Sequence, residues 1–155
     1  MMKPMRKKEC QTTTEQAYTI LQNCKYLSIA MLNEDGSPYN VVVDVVYDQG
    51  KVYFHCASEG QKLDCIRHDP RICATGVAAA VGVPEESTTK YASVIIDGKA
   101  SILTDPARKE ALIRKQSEQF GVTPEKIQAT IDGNFAAMTM VEIEIRGITG
   151  KSSVS

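Results

Sequence analysis

The sequence predicts a mainly β domain with added α-helices, in which short antiparallel strands close into a barrel. Strand-like segments follow one another in hairpin order, helical segments fall in the connections, and no repeat, low-complexity stretch or linker divides the 155 residues. A chain of this length buries about two thirds of its unfolded surface. We therefore expect one domain over 1–155 with a single core, and a flexible N-terminus at 1–10.

The first half of the chain predicts one helix and three strands. The helix occupies about 13–24, because Thr12-Thr13-Thr14-Glu15 offers an N-cap and apolar residues then recur at helical spacing. Three segments rich in β-branched and aromatic residues follow, at 27–32, at 39–47 and from Val52. The turns Asn33-Glu34-Asp35-Gly36 and Asp48-Gln49-Gly50 separate them. These turns predict two hairpins that join the three strands in a meander.

The second half alternates between helices and strands. A short helix at about 60–68 ends before Pro70, which blocks its continuation. Strand patterns follow at 71–80, 91–96, 99–103 and 138–145, with a surface loop at 83–87. The segments 91–96 and 99–103 form either one long bent strand or two strands. Helices begin at Asp105-Pro106 and at Thr123-Pro124, where a capping side chain precedes a proline at the first helical position.

Composition excludes several classes of function. A net charge of -1 provides no field that attracts nucleic acid or an anionic membrane. No apolar run is long enough to cross a bilayer and no signal-peptide segment is present, so we expect a cytoplasmic protein. Five cysteines in irregular spacing argue against a disulfide framework. The glycine motifs of dinucleotide and nucleoside-triphosphate sites and the nucleophile elbow of hydrolases are also absent.

The most informative stretch is Val52 to Ile66, where a strand leads through a glycine turn into a short helix. Phe54 and His55 stand at the end of the strand, and Lys62 stands in the first turn of the helix. Anions bind at such a helix start, because its first N–H groups lack partners and its dipole is positive there. The pattern predicts a phosphate site beside a stacking and proton-handling site, which suits a phosphorylated aromatic cofactor.

His55 is the candidate catalytic residue. A histidine on a strand is more often structural, but His55 stands at a strand end beside the predicted phosphate site. There an imidazole is expected to donate a hydrogen bond to a cofactor or substrate and to exchange a proton with it.

The turn before the helix supplies the predicted phosphate contacts. Lys62 is the first candidate cation, ahead of Arg67 and Arg71. Ser58 and Gln61 fit a capping box, which we expect to form alongside any role in binding.

A soft-metal site is a weaker alternative. Cys65 and His68 are three residues apart on the predicted helix, and His55, Cys56 and Cys73 could approach in space. The paired cysteines of structural zinc sites are absent. Cys65 in the core with His68 at a helix C-terminus explains the same spacing, so we predict no metal.

Six short motifs recur in a fixed order along the chain. They are Gly36-x-Pro38, Tyr47-Asp48-x-Gly50-x-Val52-Tyr53-Phe54-His55, Gly60-x-Lys62, Asp69-Pro70-Arg71, Tyr91-x-Ser93-Val94-x-x-x-Gly98-Lys99 and Ile148-Thr149-Gly150-Lys151. Together they resemble the FMN-binding, pyridoxamine 5'-phosphate oxidase-like proteins, and within that family they most resemble the nitroimidazole-resistance branch. The resemblance spans about Met5 to Lys151.

This resemblance implies a split β-barrel homodimer with two FMN sites at the subunit interface, each built from both chains. The strand Asn40-Val41-Val42-Val43-Asp44 is expected to run along the flavin and to offer mainly backbone groups. Phe54 and His55 are expected beside the ring system and the ribityl chain.

The resemblance also assigns the phosphate end of the site. Lys62 with the turn from Ser58 through Gly60 and Gln61 is expected to hold the phosphate, and Tyr91 and Ser93 match a strand that reaches the flavin from the same or the partner subunit. The oxidases that name the family carry basic residues where this chain has Asn40 and Gly60. Vitamin B6 oxidation is therefore not expected.

Together with the residues of the predicted site, this resemblance implies an FMN-dependent oxidoreductase that passes electrons from an unidentified donor to a small planar acceptor such as a nitroaromatic. Two alternatives remain. One is a flavin-storage or flavin-sensing protein without turnover. The other is a haem-binding or haem-degrading protein in which His55 or His68 is the axial ligand.

Overall fold

Seven strands and four α-helices make up the computed structural model, which describes residues 2–153. The helices are α1 (Thr14–Asn23), α2 (Gln61–His68), α3 (Pro106–Gln119) and α4 (Pro124–Asn134). The strands are β1 (Tyr26–Leu32), β2 (Pro38–Asp44), β3 (Val46–Asp48), β4 (Lys51–Ala57), β5 (Arg71–Val83), β6 (Thr88–Ile102) and β7 (Met138–Ser152). None of the described helices combines the length and apolar character needed to span a bilayer.

All seven strands belong to one antiparallel sheet with the order β2-β1-β5-β6-β7-β4-β3. The prediction of a mainly β, barrel-like fold with helices in the connections is thus confirmed. The predicted meander is wrong, because β2 pairs with β1 at one end of the sheet and β3 pairs with β4 at the other.

The meander fails because the segment predicted as one strand at 39–47 is broken at Val45. Its backbone N–H donates to the carbonyl of Lys25 at 2.9 Å, and its side chain is buried in the core. The chain therefore passes directly from one end of the sheet to the other. The two ends of the barrel wall are therefore linked by the continuous chain at Val45 and not by a ladder of hydrogen bonds.

This crossing leaves an opening in the wall. The β3–β4 ladder pairs Val46 with Tyr53, so a continued ladder would pair Asp44 with His55. Instead the preceding residues pair with β1. We call the resulting gap the split, bordered by residues 38–44 on one side and 54–62 on the other.

The remaining elements largely match expectation. β6 is one long strand with an irregularity at Asp97 and Gly98, which resolves the alternative between one strand and two. Asp105 caps α3 by accepting from the N–H of Ala107 at 3.0 Å. At the N-terminus, Lys8–Cys10 forms a short 3-10 turn. Met1 lies outside the described residues, and the flexibility of 1–10 stays a prediction.

Two apolar clusters hold the fold together. The larger fills the barrel interior and includes Val43, Phe54 and Leu63. The smaller lies between the outer face of the β3, β4 and β7 region and α3, and includes Tyr53 and Leu112. Because side chains alternate along a strand, successive residues of β4 face the two clusters in turn. The helical layer therefore covers the outer face of β4 on which His55 also lies.

Asp48 ties α3 to the turn between β3 and β4. Its carboxylate pairs with Lys115 and Arg108, both on α3, and their hydrogen bonds lower the pKa of Asp48 below its ordinary 3.8. A carboxyl with a lowered folded-state pKa stabilises the fold above its unfolded pKa, and this contribution is lost as pH falls through the folded-state value.

We expect Asp48→Asn to lower the free energy of unfolding by about 1–2 kcal/mol at neutral pH, because it removes a charged acceptor from two donors. Urea unfolding of both proteins across the acid range measures this. The difference between them is expected to shrink as pH falls below 3.8. A difference that persists unchanged in acid would rule out this contribution.

Candidate functional site

The split presents free backbone edges. β2 ends the sheet on one side, and β3 pairs only with residues 51–53 of β4, so residues 54–57 have no ladder partner on that side within the described chain. Backbone N–H and C=O groups need partners, which makes these edges available to a ligand. β2 has seven residues. Its edge is roughly 20 Å long at the usual rise per residue.

The side chains of β2 divide between the barrel interior and the outside. Val43 is buried in the core and Val41 packs against it, whereas Val42 is 64% exposed. Asn40 also faces outward, where its Oδ1 accepts from Ser28 Oγ at 2.7 Å. Among the predicted cofactor contacts on this strand, Val41 and Val43 can therefore offer only backbone groups to a ligand in the split.

His55 lies at the closed end of the split. Its ring is half-buried, and its Nδ1 lies 2.9 Å from Oε1 of Gln116 on α3. Nε2 of the same glutamine donates to the carbonyl of Asp44 at 3.1 Å. One amide thus joins the last residue of β2 to the predicted catalytic histidine.

Gln116 is a residue that the sequence interpretation missed. It is 2% exposed, and among residues 2–153 it is the one polar side chain buried as deeply as the core. A signal for it was available, since Leu112, Ile113 and Gln116 share the buried face of α3. A glutamine on such a face needs specific partners, which are not visible in the sequence.

Phe54 does not present its ring to the split. Its side chain is 1% exposed and belongs to the barrel core, because Phe54 and His55 point to opposite faces of β4. Only its backbone remains available to a ligand.

The start of α2 differs from the predicted capping box. Gly60 is the N-cap residue, with φ of 137°, and no side chain caps the helix. The side chain of Gln61 instead donates to Asn33 Oδ1 at 2.9 Å. The capping box from Ser58 and Gln61 is therefore wrong: glycine supplies a conformation that other residues rarely adopt, and the glutamine has a long-range partner.

This departure leaves the helix start open to an anion. The N–H groups of Leu63 and Asp64 donate to the carbonyl of Gly60, whereas those of Gln61 and Lys62 have no partner within residues 2–153. The helix dipole adds partial positive charge at this point. The predicted phosphate position therefore keeps unused donors.

Two cations of α2 act on the end of β4, Lys62 from the beginning of the helix and Arg67 from its last turn. Burial raises the pKa of the Cys56 thiol, and the charges of Lys62 and Arg67 act in the opposite direction, which places both near the end of β4. Arg71 instead forms a bidentate pair with Asp69. Of the two reserve candidates for the phosphate, Arg67 is the one whose charge acts near the end of β4.

Asn33 is a second residue that the sequence interpretation missed. Its Oδ1 accepts from Gln61 and from the Cys65 thiol, and its Nδ2 donates to Ser37 Oγ at 3.0 Å. These contacts tie α2 to the turn before β2. The split is therefore fixed near both ends, by Asn33 at the helix start and by Gln116 at His55.

Tyr91 and Ser93 lie elsewhere on the molecule. β6 is the third strand from β2, roughly 14 Å away along the sheet. Ser93 pairs with Lys151, whereas His55 pairs with Met140 near the opposite end of β7. A single chain therefore does not bring these two residues to the split.

The cysteine and histidine pairs considered for a metal occupy separate places. Cys65 is buried with its thiol on Asn33, and His68 is the last residue of α2. Within the described part of the chain, no three His, Cys, Asp or Glu side chains form a group that could hold a metal ion.

The fold and the split together define an open antiparallel barrel with an elongated candidate binding site in its wall. Residues 13–152 match the family described as pyridoxamine 5'-phosphate oxidase, so the chain belongs to that family. No curated protein matches the sequence.

Solved structures with the same fold are distant in sequence. A conserved hypothetical protein from Mycobacterium tuberculosis has a TM-score of 0.79 at 15% identity, over 96% of this chain and 90% of that one. A proposed 5-nitroimidazole antibiotic resistance protein from Bacteroides thetaiotaomicron gives 0.72 at 16%, over 90% and 83%. An FAD- and haem-binding protein from Mycobacterium smegmatis gives 0.69 at 16%, over 94% and 74%. These likenesses establish the shared fold.

Proposed function

We propose that this protein is a homodimeric FMN-binding oxidoreductase that passes electrons to a small planar acceptor such as a nitroaromatic. The observation that carries the proposal is the split, where free backbone edges join His55 to a cationic helix start. Family membership supports it. Similar folds include proteins whose names specify FAD and haem binding or nitroimidazole resistance.

The residues present fit an elongated mononucleotide. Lys62 and the free N–H groups of Gln61 and Lys62 would hold the phosphate, and the β2 edge would hold the ring system through backbone groups. His55 would lie within reach of the reacting end. Bound flavin would supply the redox chemistry, while the protein supplies binding, orientation and proton handling.

Exposed apolar side chains support the dimer. Three residues of the outer sheet face are unusually exposed for their type: Val42 at 64%, Val77 at 57% and Ile95 at 41%. Apolar surface of this kind marks interaction sites. A second copy of the chain packed on this face would bury these apolar side chains. That copy could also bring its Tyr91 and Ser93 to a flavin bound in the split.

The proposed chemistry does not use the thiols of Cys24 and Cys56 as nucleophiles. Burial raises the pKa of Cys24 to about 11 and also raises the pKa of Cys56. Both therefore stay protonated near neutral pH, and a protonated thiol is a poor nucleophile. All five cysteines are free, which supports the proposal of a cytoplasmic location.

The visible absorption spectrum of the purified protein, before and after addition of FMN, tests the cofactor. Flavin bands that co-elute with the protein are expected at about one per chain. A colourless protein that ignores FMN would refute the proposal. A Soret band after haem addition that disappears in His55→Ala would favour the haem-binding alternative instead.

Turnover is tested separately from binding. The flavin-loaded protein is reduced without oxygen, and the return of the oxidised spectrum is followed with and without a nitroaromatic. Faster return with the nitroaromatic is expected for an oxidoreductase. An unchanged rate with nitroaromatics and quinones would indicate a flavin-storage protein.

Lys62→Ala is expected to weaken FMN binding by about tenfold to a hundredfold, because a hydrogen bond to a charged group contributes about 1.5–3 kcal/mol. Fluorescence titration of FMN measures the affinity. Lys126→Ala removes an exposed lysine from α4 and is expected to bind FMN as the unchanged protein does. Equal affinities for all three proteins would remove Lys62 from the phosphate site.

A further inference from the structure

The amide of Gln116 is fixed at the fork where β2 leaves the side of β4. Its Nε2 donates to the Asp44 carbonyl at 3.1 Å and its Oε1 lies 2.9 Å from Nδ1 of His55. The side chain is 2% exposed, so solvent does not offer it other partners. Gln119, one turn later, donates to the next carbonyl, that of Val45, at 3.0 Å.

The chemistry of these groups decides which way round the amide lies. The Asp44 carbonyl can only accept a hydrogen bond, so the NH₂ group of Gln116 must face it. The amide oxygen then faces His55. Because that oxygen can only accept, Nδ1 of His55 must carry the proton in this hydrogen bond.

We infer that Gln116 is a positioning residue that holds neutral His55 as its Nδ1–H tautomer. Nε2, which has no partner within residues 2–153, is then the nitrogen that exchanges a proton with a ligand. Histidine in water favours the opposite tautomer, so the glutamine changes which nitrogen is basic. The catalytic meaning of this assignment rests on the proposed function, but the tautomer does not.

The tautomer of His55 determines which of its ring nitrogens exchanges a proton with a ligand. In the neutral ring, Nε2 accepts a hydrogen bond or a proton. In the protonated ring, it donates one, while Nδ1–H stays bonded to Gln116 in both states. The imidazole can thus take up and release a proton at Nε2 without turning, which suits a group that protonates a reduced acceptor.

The tautomer is measured by ¹⁵N NMR of histidine-labelled full-length protein above the titration range of both rings. The chain contains two histidines, and exposed His68 is an internal reference that His68→Gln assigns. In the unchanged protein, His55 is expected as Nδ1–H. Gln116→Met is expected to lower its ratio of Nδ1–H to Nε2–H about fivefold, the factor an ordinary net hydrogen bond supplies.

Gln119→Met is the matched control, because it removes a similar hydrogen bond from the same helix without touching His55. It is expected to keep the Nδ1–H tautomer. An Nε2–H ring in the unchanged protein overturns the inference, even if Gln116→Met fails to fold. An unchanged ratio in folded Gln116→Met, or an equal change in Gln119→Met, also overturns it.

Different measurements distinguish failure of this inference from failure of the proposed function. The NMR measurement uses protein without added FMN, whereas flavin binding is read from the absorption spectrum. In flavin-loaded protein, Gln116→Met is expected to lower the turnover number by up to about fivefold with FMN affinity unchanged, because the competent tautomer is depleted by that factor at most and the phosphate end is intact. Unchanged turnover with an altered tautomer would overturn the positioning role.

Discussion

Replacing Phe54 with Ala is expected to lower the free energy of unfolding by about 3–5 kcal/mol, the usual cost of emptying a large buried aromatic site. The ring is 1% exposed and packs in the barrel core. Chemical denaturation measures the change. The motif that contains Phe54 suggested a flavin contact, so this experiment separates a core role from a binding role.

Phe120→Ala is the control for this substitution. Phe120 follows the end of α3 and is half-buried, where it meets the Tyr26 ring edge to face at 5.8 Å. Removing this ring is expected to lower the free energy of unfolding by about 1 kcal/mol. If Phe54→Ala kept full stability and lost only FMN affinity, the assigned face of β4 would be wrong.

Gly150→Ala is expected to lower the free energy of unfolding by about 2–3 kcal/mol, because the added methyl group overpacks a close contact. A Cβ at this position would overlap Thr12 Oγ1 and stand 2.9 Å from the Cβ and 3.0 Å from the Cα of Ala17. Thr12 N–H also donates to the carbonyl of Gly150 at 3.0 Å. The α1 region therefore approaches β7 as closely as glycine allows.

Gly133→Ala is expected to raise the free energy of unfolding, which is the opposite of the change expected for Gly150→Ala. Gly133 lies inside α4, and a Cβ there meets nothing within 4 Å. Alanine favours helix over glycine by about 0.8–1 kcal/mol, so this variant is expected to be more stable. Thermal unfolding of both variants tests the pair. Equal changes for the two would show that the α1 contact does not explain the need for glycine at position 150.

The structure gives a different physical reason for each of several residues in the motifs that resemble the family. Gly150 permits the approach of α1, and Gly98 allows β6 to pass the carbonyl of Glu144, which a Cβ would meet at 2.7 Å. Phe54 in another motif serves the core. Gly60 opens the start of α2, so it bears on ligand binding together with His55 and Lys62 of the same motifs.

Local patterns in the sequence predicted the helices and strands well, but they predicted the pairing of the strands less well. Caps and prolines placed the starts of α1, α3 and α4, because those signals act within a few residues. The break at Val45 could not be predicted. A valine-rich run has the same pattern whether it continues or crosses to another partner, since only distant strands decide the pairing.

The candidate site shows the same limit. His55 and Lys62 could be proposed from the strand-to-helix pattern that contains them both. The sequence could indicate that Gln116 lies on a buried helix face, but it could not indicate the partners of Gln116 or Asn33, because those partners stand far away in the chain: the bond from His55 to Gln116 spans 61 residues. Their role depends on which helix covers which face.

The strand order also determines when the split can form during synthesis. β4 owes its main ladder to β7, which ends at Ser152, and β2 is joined to β7 only through β1, β5 and β6. A chain that lacks β7 therefore loses the ladder that connects the two edges through the sheet, and keeps only the local contacts of Asn33 and Gln116. Such long-range pairing also slows folding. A ligand that binds the split is thus expected to recognise chains in which β7 has paired with both β4 and β6.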